Sequence, residues 1–358
     1  SLARGKGAAG DLIPWVMSQQ YLDNNFGSLS GARVVRIATH PDATGMSYGT
    51  RAIELLEKYY QGDIVSISEN DTPGSQPYKK ERVDGLDTTT SKLREEKIKP
   101  RKNMPPLLTP LDQRTPERLH YLGVSYGVTT KLFNFWAKAG FVPVYMRQTT
   151  NELTGEHSCI MIKPLNTKDM VSGPEEGWCH NFTSDFAKRF LFLLSSSFRK
   201  LNVSLALSVL SKCTPSISQV KSQKSQAPLM STFTAFLGSL DIQRLGAYSR
   251  NLVDYRLITD LLPVMAQLYF LGKFDSNFRL SPLQTAILVG VGMQSHTMDE
   301  IATQLDLPTG QLLAMFNKIV RKISTYLKRL EEKEAKEELK NMNGGGMKRK
   351  KHSYNHQR

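Results

Sequence analysis

The fold is decided by the run Arg33-Val34-Val35-Arg36-Ile37-Ala38, which precedes the segment His40-Pro41-Asp42-Ala43-Thr44-Gly45-Met46-Ser47-Tyr48-Gly49. The first run is rich in β-branched residues that alternate with arginine and predicts a strand. The second predicts a loop, and the apolar residues beyond it recur at helical spacing until Gly62. A glycine-containing loop between a strand and a helix presents unpaired backbone amides that can bind phosphate or pyrophosphate. The glycine spacing matches neither the dinucleotide fingerprint nor the P-loop, so a plain helix start is the alternative interpretation.

The surrounding segments complete an α/β arrangement. They predict three further strands and one short helix, over residues 119–126, 141–147, 157–163 and 132–136, respectively. Gly140 is placed to end that helix in a left-handed conformation. Residues 1–30 predict mainly loop, and the polar residues 63–117 predict an exposed, partly disordered insertion. We therefore assign residues 1–168 to a first, α/β domain.

The rest of the chain is helical in character. Residues 175–340 predict a second, mostly α-helical domain, in which a Ser/Gln/Lys stretch at 214–228 predicts a linker. Ser281 followed by proline predicts the start of one of its helices. Residues 341–358 contain three consecutive glycines and a basic cluster, and they predict a flexible basic tail.

Charge and cysteine content limit the classes of partner and site. The formal net charge is +14 and the sequence pI is about 9.6, an excess that favours a polyanionic partner, most often nucleic acid. The three cysteines have no paired spacing, which excludes a disulfide framework and a cysteine-based zinc site and suits a reducing compartment. We expect no metal site. No apolar run approaches the roughly 20 residues needed to cross a bilayer, so we expect no membrane partner.

Several motifs resemble those of a known family. Thr44-Gly45-Met46-Ser47-Tyr48-Gly49 resembles the pyrophosphate loop of the GNAT acetyltransferases, and Asn134-Phe135-Trp136-Ala137-Lys138-Ala139-Gly140-Phe141 resembles a helix and turn of the same superfamily. A closer similarity is to the RNA cytidine acetyltransferases, the eukaryotic nucleolar enzymes and their bacterial tRNA relatives that make N4-acetylcytidine. It rests on these motifs together with Arg33-Val34-Val35-Arg36-Ile37-Ala38, His40-Pro41-Asp42, Tyr121-Leu122-Gly123-Val124-Ser125-Tyr126-Gly127 and Leu153-Thr154-Gly155-Glu156-His157-Ser158. The resemblance extends over roughly residues 1–340 and implies a GNAT-type acetyltransferase domain.

The resemblance implies an acetyl-CoA site around the loop. The pantetheine arm would pair with the backbone of Ile37-Ala38-Thr39, and the pyrophosphate would bind the amides of Thr44, Gly45, Met46, Ser47, Tyr48, Gly49 and Thr50. Lys138 stands where the family has an arginine near the cofactor, so charge is kept and bidentate geometry is lost. The family loop has Gln and Gly where this chain has Thr44 and Ser47. We expect Ser47 to adopt a negative φ, because a non-glycine residue is strained at positive φ. Both departures predict a lower affinity.

Direct transfer to the exocyclic amine of cytidine needs positioning, proton removal and stabilisation of an oxyanion. Arg36 and His40 are the catalytic candidates, and His157 is a further candidate base. The alternative for His40 is a hydrogen-bonding loop residue, and the alternative for Arg36 is half of a strand-face ion pair. Tyr126 is also considered for a chemical role, and its alternative is a core residue. A base upstream of residue 1 is equally compatible with the sequence.

Further implications concern the whole enzyme. The family carries an ATP-dependent, Mg-using helicase-like module upstream, so the chain is expected to be an N-terminally truncated fragment that is incomplete as an enzyme. The resemblance implies 18S rRNA and tRNA as substrates, a role in ribosome biogenesis, and a nuclear and nucleolar location. A tRNA-binding adaptor protein and a homodimer are left open as partners.

Two other classes remain alternatives. Residues 298–313 resemble a helix-turn-helix, which would suit a non-catalytic nucleic-acid-binding protein, although the expected reading face at 311–317 is mostly apolar. A GNAT enzyme that acetylates protein lysines is the other alternative, and the basic tail argues against it.

Overall fold

The computed structural model describes residues 12–64, 116–166, 177–222, 230–275 and 277–344. Its centre is a mixed four-stranded sheet with the order β1-β2-β4-β3. The strands are β1 Gly31–Val34, β2 Tyr121–Gly127, β3 Val142–Thr150 and β4 His157–Pro164. β1 runs parallel to β2, and the other neighbours are antiparallel.

Helices cover both faces of this sheet. Three belong to the first domain: α1 Leu12–Tyr21, α2 Tyr48–Gln61 and α3 Thr130–Lys138. Along β4 the side chains of Cys159 and Met161 enter the core shared with α2 and α3, whereas Ile160 and Ile162 enter the core shared with α1. This alternation is what a strand buried on both sides requires.

The described residues of the second domain form helices joined by turns and loops. Its helices are α4 Trp178–Leu193, α5 Val203–Ser222, α6 Met230–Thr234, α7 Ser239–Ser249, α8 Leu262–Phe270, α9 Pro282–Leu288, α10 Met298–Leu305 and α11 Thr309–Gly344. The predicted start at Ser281 is confirmed, since its hydroxyl accepts the Gln284 amide while the Gln284 side chain accepts the Ser281 amide. A short π-helical segment, Val289–Met293, follows α9 directly.

The two domains share one hydrophobic core. A single cluster of buried residues includes Ile53 on α2, Leu122 on β2 and Phe133 on α3, and continues through the second domain to Leu327 on α11. The α5 ammonium group of Lys212 also donates to a backbone carbonyl at the end of α3, 2.8 Å away. The sheet and the helical domain therefore pack as one body.

Several sequence expectations need correction. Residues 12–21 form helix α1 instead of loop, because Ile13, Val16 and Met17 lie on one helical face that the sheet buries. The strand predicted over 33–38 is β1, which begins at Gly31 and ends at Val34. Helix α5 extends to Ser222, well into the predicted linker.

Other expectations fall partly outside the described residues. Of the predicted insertion, residues 65–115 lie outside them, as do residues 345–358 of the predicted tail. Helix α11 continues four residues into that tail, to Gly344. None of the helices in the described part of the chain is both long and apolar enough to cross a membrane.

Candidate active site

The sheet opens at the end of β1. The pairing of β1 with β2 stops at Val34 and Val124, whereas β2 continues to Gly127 against β4. Residues 35–40 therefore continue beyond the sheet with no assigned secondary structure. Their peptide groups have no strand partner, so the backbone of Ile37-Ala38-Thr39 can offer donors and acceptors to an extended amide-containing ligand.

The loop after this segment is folded by its own hydrogen bonds. The His40 carbonyl accepts from the Ala43 amide at 2.9 Å and from the Thr44 hydroxyl at 3.3 Å. His40 Nδ1 accepts from the Asp42 amide at 3.3 Å and so caps the short 3-10 turn Pro41–Ala43. His40 therefore makes the loop hydrogen bonds that the alternative interpretation expected.

The beginning of α2 presents uncapped amides. The Arg51 amide is the first to bond back, to the Ser47 carbonyl at 2.9 Å, so the amides of Tyr48, Gly49 and Thr50 precede the helical hydrogen-bond ladder. Ser47 is the N-cap residue and makes no side-chain cap. An anion at this terminus would therefore meet free N–H donors and the positive end of the helix dipole.

Ser47 contradicts the expectation of a negative φ. Its φ is 64° and its ψ is 12°, in the left-handed region that favours glycine. Hydrogen bonds on both sides of Ser47, from the Met46 amide to the Ala43 carbonyl and from the Arg51 amide to the Ser47 carbonyl, hold the serine in this conformation. Gly45 is also left-handed, at φ 87°, and a Cβ added there would meet nothing within 4 Å. The space beside the Cα atom of Gly45 is therefore open.

Helix α3 packs against the start of α2 through the ring of Phe135. A Cβ added to Gly49 would lie 3.3 Å from the Phe135 ring and 3.8 Å from Ile37 Cδ1, so glycine permits this close approach. Lys138 is exposed in the last turn of α3, one helical turn beyond Phe135. The structure therefore brings together residues 37–39, residues 44–50 and the α3 face that carries Lys138.

The catalytic candidates divide into two groups. Arg36 is exposed where the sheet opens, and it forms no ion pair with any described carboxylate. His157 is buried on β4, where Nδ1 lies 2.8 Å from the Arg147 carbonyl and the ring packs edge-on against Phe198. Because β2 separates β4 from β1, His157 is held away from the loop.

Tyr126 belongs to the core. Its hydroxyl lies 2.9 Å from the Met161 sulfur, and burial raises the pKa of Tyr126 far above its usual value. A hydroxyl held neutral in this way does not act as a base near neutral pH. No cluster of three or more His, Cys, Asp or Glu side chains among the described residues could hold a metal ion.

Sequence reasoning missed the contact that fixes α2 from its other end. The Lys163 ammonium group on β4 lies 2.5 Å from the Glu57 carboxylate on α2 and 2.9 Å from the Ala139 carbonyl at the end of α3. The two charged partners are 106 residues apart in sequence, and no local pattern marks either one. This ion pair ties the helix that presents the loop to both the sheet and α3.

The face expected to read nucleic acid in a helix-turn-helix, residues 311–317, is largely apolar and partly packed against the rest of the domain. Helices α10 and α11 do meet at a short turn, as the sequence predicted. On α11, however, Leu312 and Phe316 are fully buried, and Asn317 accepts the Tyr248 hydroxyl at 2.6 Å. Leu312, Phe316 and Asn317 therefore serve the packing of the domain and are not available to contact bases.

Two family models match the chain. The model described as "GNAT acetyltransferase 2" matches residues 1–166, and the model described as "Possible tRNA binding domain" matches residues 178–358. The protein is thus a GNAT acetyltransferase domain followed by a helical domain of this second kind, and the acetyltransferase class implies the use of acetyl-CoA.

Similar proteins carry one common name. An RNA cytidine acetyltransferase from Homo sapiens is 45% identical over 343 residues, and one from Saccharomyces cerevisiae is 44% identical over 346 residues. RNA cytidine acetyltransferase 2 of Arabidopsis thaliana is 39% identical over 341 residues. The matches cover 95%, 96% and 95% of this chain, but only 32%, 32% and 33% of the relatives, so the chain spans about a third of their length. The chain belongs to the RNA cytidine acetyltransferase family.

Proposed function

We propose that this chain provides the acetyl-donor site and part of the RNA-binding surface of an enzyme that acetylates N4 of cytidine in RNA. The observation that carries the proposal is the uncapped N-terminus of α2 beside the unpaired backbone of residues 37–39. This combination suits a ligand that has a pyrophosphate at one end and an amide-containing arm at the other. Acetyl-CoA has both parts.

The residues present divide the binding work. The amides of Tyr48, Gly49 and Thr50 would hold the pyrophosphate, with Gly45, Met46 and Ser47 shaping the turn and Thr44 closing it through its hydroxyl. The backbone of residues 37–39 would align the arm, and the Lys138 ammonium group would add positive charge near the phosphates. Bound acetyl-CoA would supply the activated acyl group.

The side chains beside the opening suit stabilisation of an oxyanion. Arg36 always carries a positive charge and is exposed where the strands diverge. Because Nδ1 of His40 accepts the Asp42 amide, the neutral ring carries its proton on Nε2 and can donate from there. Both groups are therefore donors for the negative charge that develops during acyl transfer. In this arrangement His40 stabilises charge and does not remove the amine proton.

The proposal extends to the complete enzyme. Its RNA substrates would be 18S rRNA and tRNA, its place the nucleolus, and its role ribosome biogenesis, with ATP and Mg used by a helicase-like module outside this chain. A tRNA-binding adaptor and self-association into a homodimer are part of the same proposal. The names of the relatives and the net charge of +14 support an RNA substrate, and the other parts of this proposal follow from the family resemblance alone.

Thr50 offers a clean test of the donor site. It is exposed at the third position of α2, where glutamate favours the helix by about 0.5 kcal/mol through the dipole. Thr50→Glu should therefore fold at least as well as the wild type, yet its carboxylate would occupy the amides and repel pyrophosphate. Gly49 is less suitable, because any side chain there presses on Phe135.

The measurement is a calorimetric titration with acetyl-CoA, after circular dichroism confirms folding. We expect Thr50→Glu to weaken binding at least about tenfold, whereas the uncharged control Thr50→Gln stays close to the wild type. Equal affinities of the two variants for acetyl-CoA would show that the pyrophosphate does not bind at the start of α2. Nucleoside analysis of RNA treated with the complete enzyme then tests for N4-acetylcytidine, and acetyl-lysine without acetylcytidine would indicate a protein acceptor.

A further inference from the structure

A cleft in the second domain lies between α11 and the segment that follows α8. Its volume is about 670 Å³, and its walls include Phe278 and Asp275 on one side and Tyr326 on the other. It is separate from the α2 loop, and its lining comes entirely from residues 275–333. The proposed acetyl-donor site does not account for it.

Positive charge dominates one wall of this cleft. The lining contains five basic side chains against one acidic side chain, that of Asp275: Lys318, Arg321, Lys322, Arg329 and Lys333. Four of the five recur at intervals of four, seven and four residues, so they form one stripe along α11. The stripe is about 22 Å long, enough to follow several phosphates of one strand.

The charges of these five residues are not neutralised within the described part of the chain. None of them pairs with a carboxylate there, and all five are exposed. Arg321 donates to the Ser249 carbonyl at 3.0 Å, and Lys322 donates to the Arg279 carbonyl. A carbonyl positions a cation without cancelling its charge, so the wall is both ordered and strongly positive.

Aromatic rings line both sides of the cleft, with Phe278 on the segment after α8 and Tyr326 on α11. Phe278 and Tyr326 are half-buried, with ring centroids 5.1 Å apart, and Phe278 stacks on Phe274 at 4.4 Å. The Tyr326 hydroxyl accepts the Asp275 amide at 3.2 Å, and the Lys322 ammonium group lies 5.4 Å from the Phe278 ring centre. The rings are thus held in place from behind, with part of each surface exposed to the cleft.

We propose that this cleft binds an unpaired nucleotide of the RNA, with its base against Phe278 and Tyr326 and its flanking phosphates on Lys322, Arg329 and Lys333. Aromatic surfaces beside a positive stripe are the arrangement by which proteins hold single-stranded nucleic acid. The inference rests on the proposed function, because it assumes an RNA substrate. It deepens that function by assigning RNA contact to the exposed side of α11, opposite the packed face with Leu312 and Phe316.

The test measures binding of a short fluorescent single-stranded RNA to the 358-residue chain by anisotropy at several salt concentrations. The double variant Arg329→Ala/Lys333→Ala should bind more weakly, and the slope of log K against log salt should fall by about 1.4 for two lost phosphate contacts. Phe278→Leu should weaken binding about tenfold and leave the slope unchanged, because stacking releases no counterions. The matched control is Lys188→Ala/Lys200→Ala, which removes two exposed lysines elsewhere in the domain.

The outcomes separate this inference from the proposed function. The cleft assignment would be overturned if the wild type binds RNA and the Arg329/Lys333 variant binds it as tightly, or loses no more affinity than the control does. An RNA substrate would then still stand. A wild-type chain that binds acetyl-CoA and no RNA would contradict the RNA-binding part of the proposed function. Binding to phosphatidylserine vesicles that the variant loses, with RNA binding intact, would assign the cleft to an anionic membrane surface.

Discussion

The backbone conformation of Ser47 can be tested by comparing glycine and alanine at this one position. At φ 64° a non-glycine residue is strained by about 1–2 kcal/mol, which glycine avoids. Glycine in turn costs about 0.5–1 kcal/mol through the extra freedom of the unfolded chain. The Ser47 hydroxyl makes no cap hydrogen bond, so its loss has little effect.

The expected order of stability follows from these values. Ser47→Gly should be more stable than Ser47→Ala by about 0.5–1 kcal/mol, and Ser47→Ala should be close to the wild type. At an ordinary negative φ the order reverses, and alanine is the more stable residue by a similar amount. The sign of the difference therefore reports the conformation of the loop immediately before α2.

Urea unfolding followed by tryptophan fluorescence suits this measurement. The chain has three tryptophans, Trp15, Trp136 and Trp178, and all lie in or against the α/β domain that contains Ser47. The midpoint shift at constant slope gives the free-energy difference between variants. A glycine variant less stable than the alanine variant would refute the left-handed conformation and restore the expectation of a negative φ.

Two further predictions concern buried groups. Lys163→Met should lower the free energy of unfolding by about 2 kcal/mol, because it leaves the Glu57 carboxylate unpaired, and adding Glu57→Gln should recover part of this loss in the same urea assay. The second prediction concerns two buried thiols. Burial raises the pKa of the Cys159 and Cys179 thiols to about 12, whereas the pKa of a thiol in the unfolded chain is about 8.5. The folded state therefore holds these protons more tightly, and their contribution to stability is complete below about pH 8.5 and decreases as the pH rises towards 12. Between about pH 7 and about pH 10 the urea midpoint should therefore fall less in Cys159→Ala/Cys179→Ala than in the wild type. Equal decreases in the two proteins would contradict the assignment of this pH dependence to the two thiols.

The sequence predicted the features that local chemistry determines. Gly62 and Gly140 end α2 and α3 in left-handed conformations, at φ 82° and 93°, as their positions after amphipathic runs indicated. Ser281 starts α9 as predicted. The strand–loop–helix unit and the motifs around Gly49 were equally evident, because glycine placement and apolar period are written into short stretches.

Features that depend on distant partners could not be predicted. Helix α1 has apolar residues at helical spacing, but a segment this short is stable as a helix only because those residues are buried against Tyr121 and Ile162 of the sheet. The Lys163 contact with Glu57 joins elements that have no sequence relationship. The conformation of Ser47 reversed the expectation because the geometry of the turn outweighed the local preference of serine.

The single core that joins the sheet to the helical domain has a consequence for how an RNA would be chosen. A large apolar contact between domains opposes hinge motion, so the α2 loop and the cleft beside α11 remain at one separation. An RNA that engages both must then place its reacting cytidine a fixed number of nucleotides from the base held in the cleft. The protein would measure spacing along its substrate, and a target with the right bases at the wrong interval would bind without reacting.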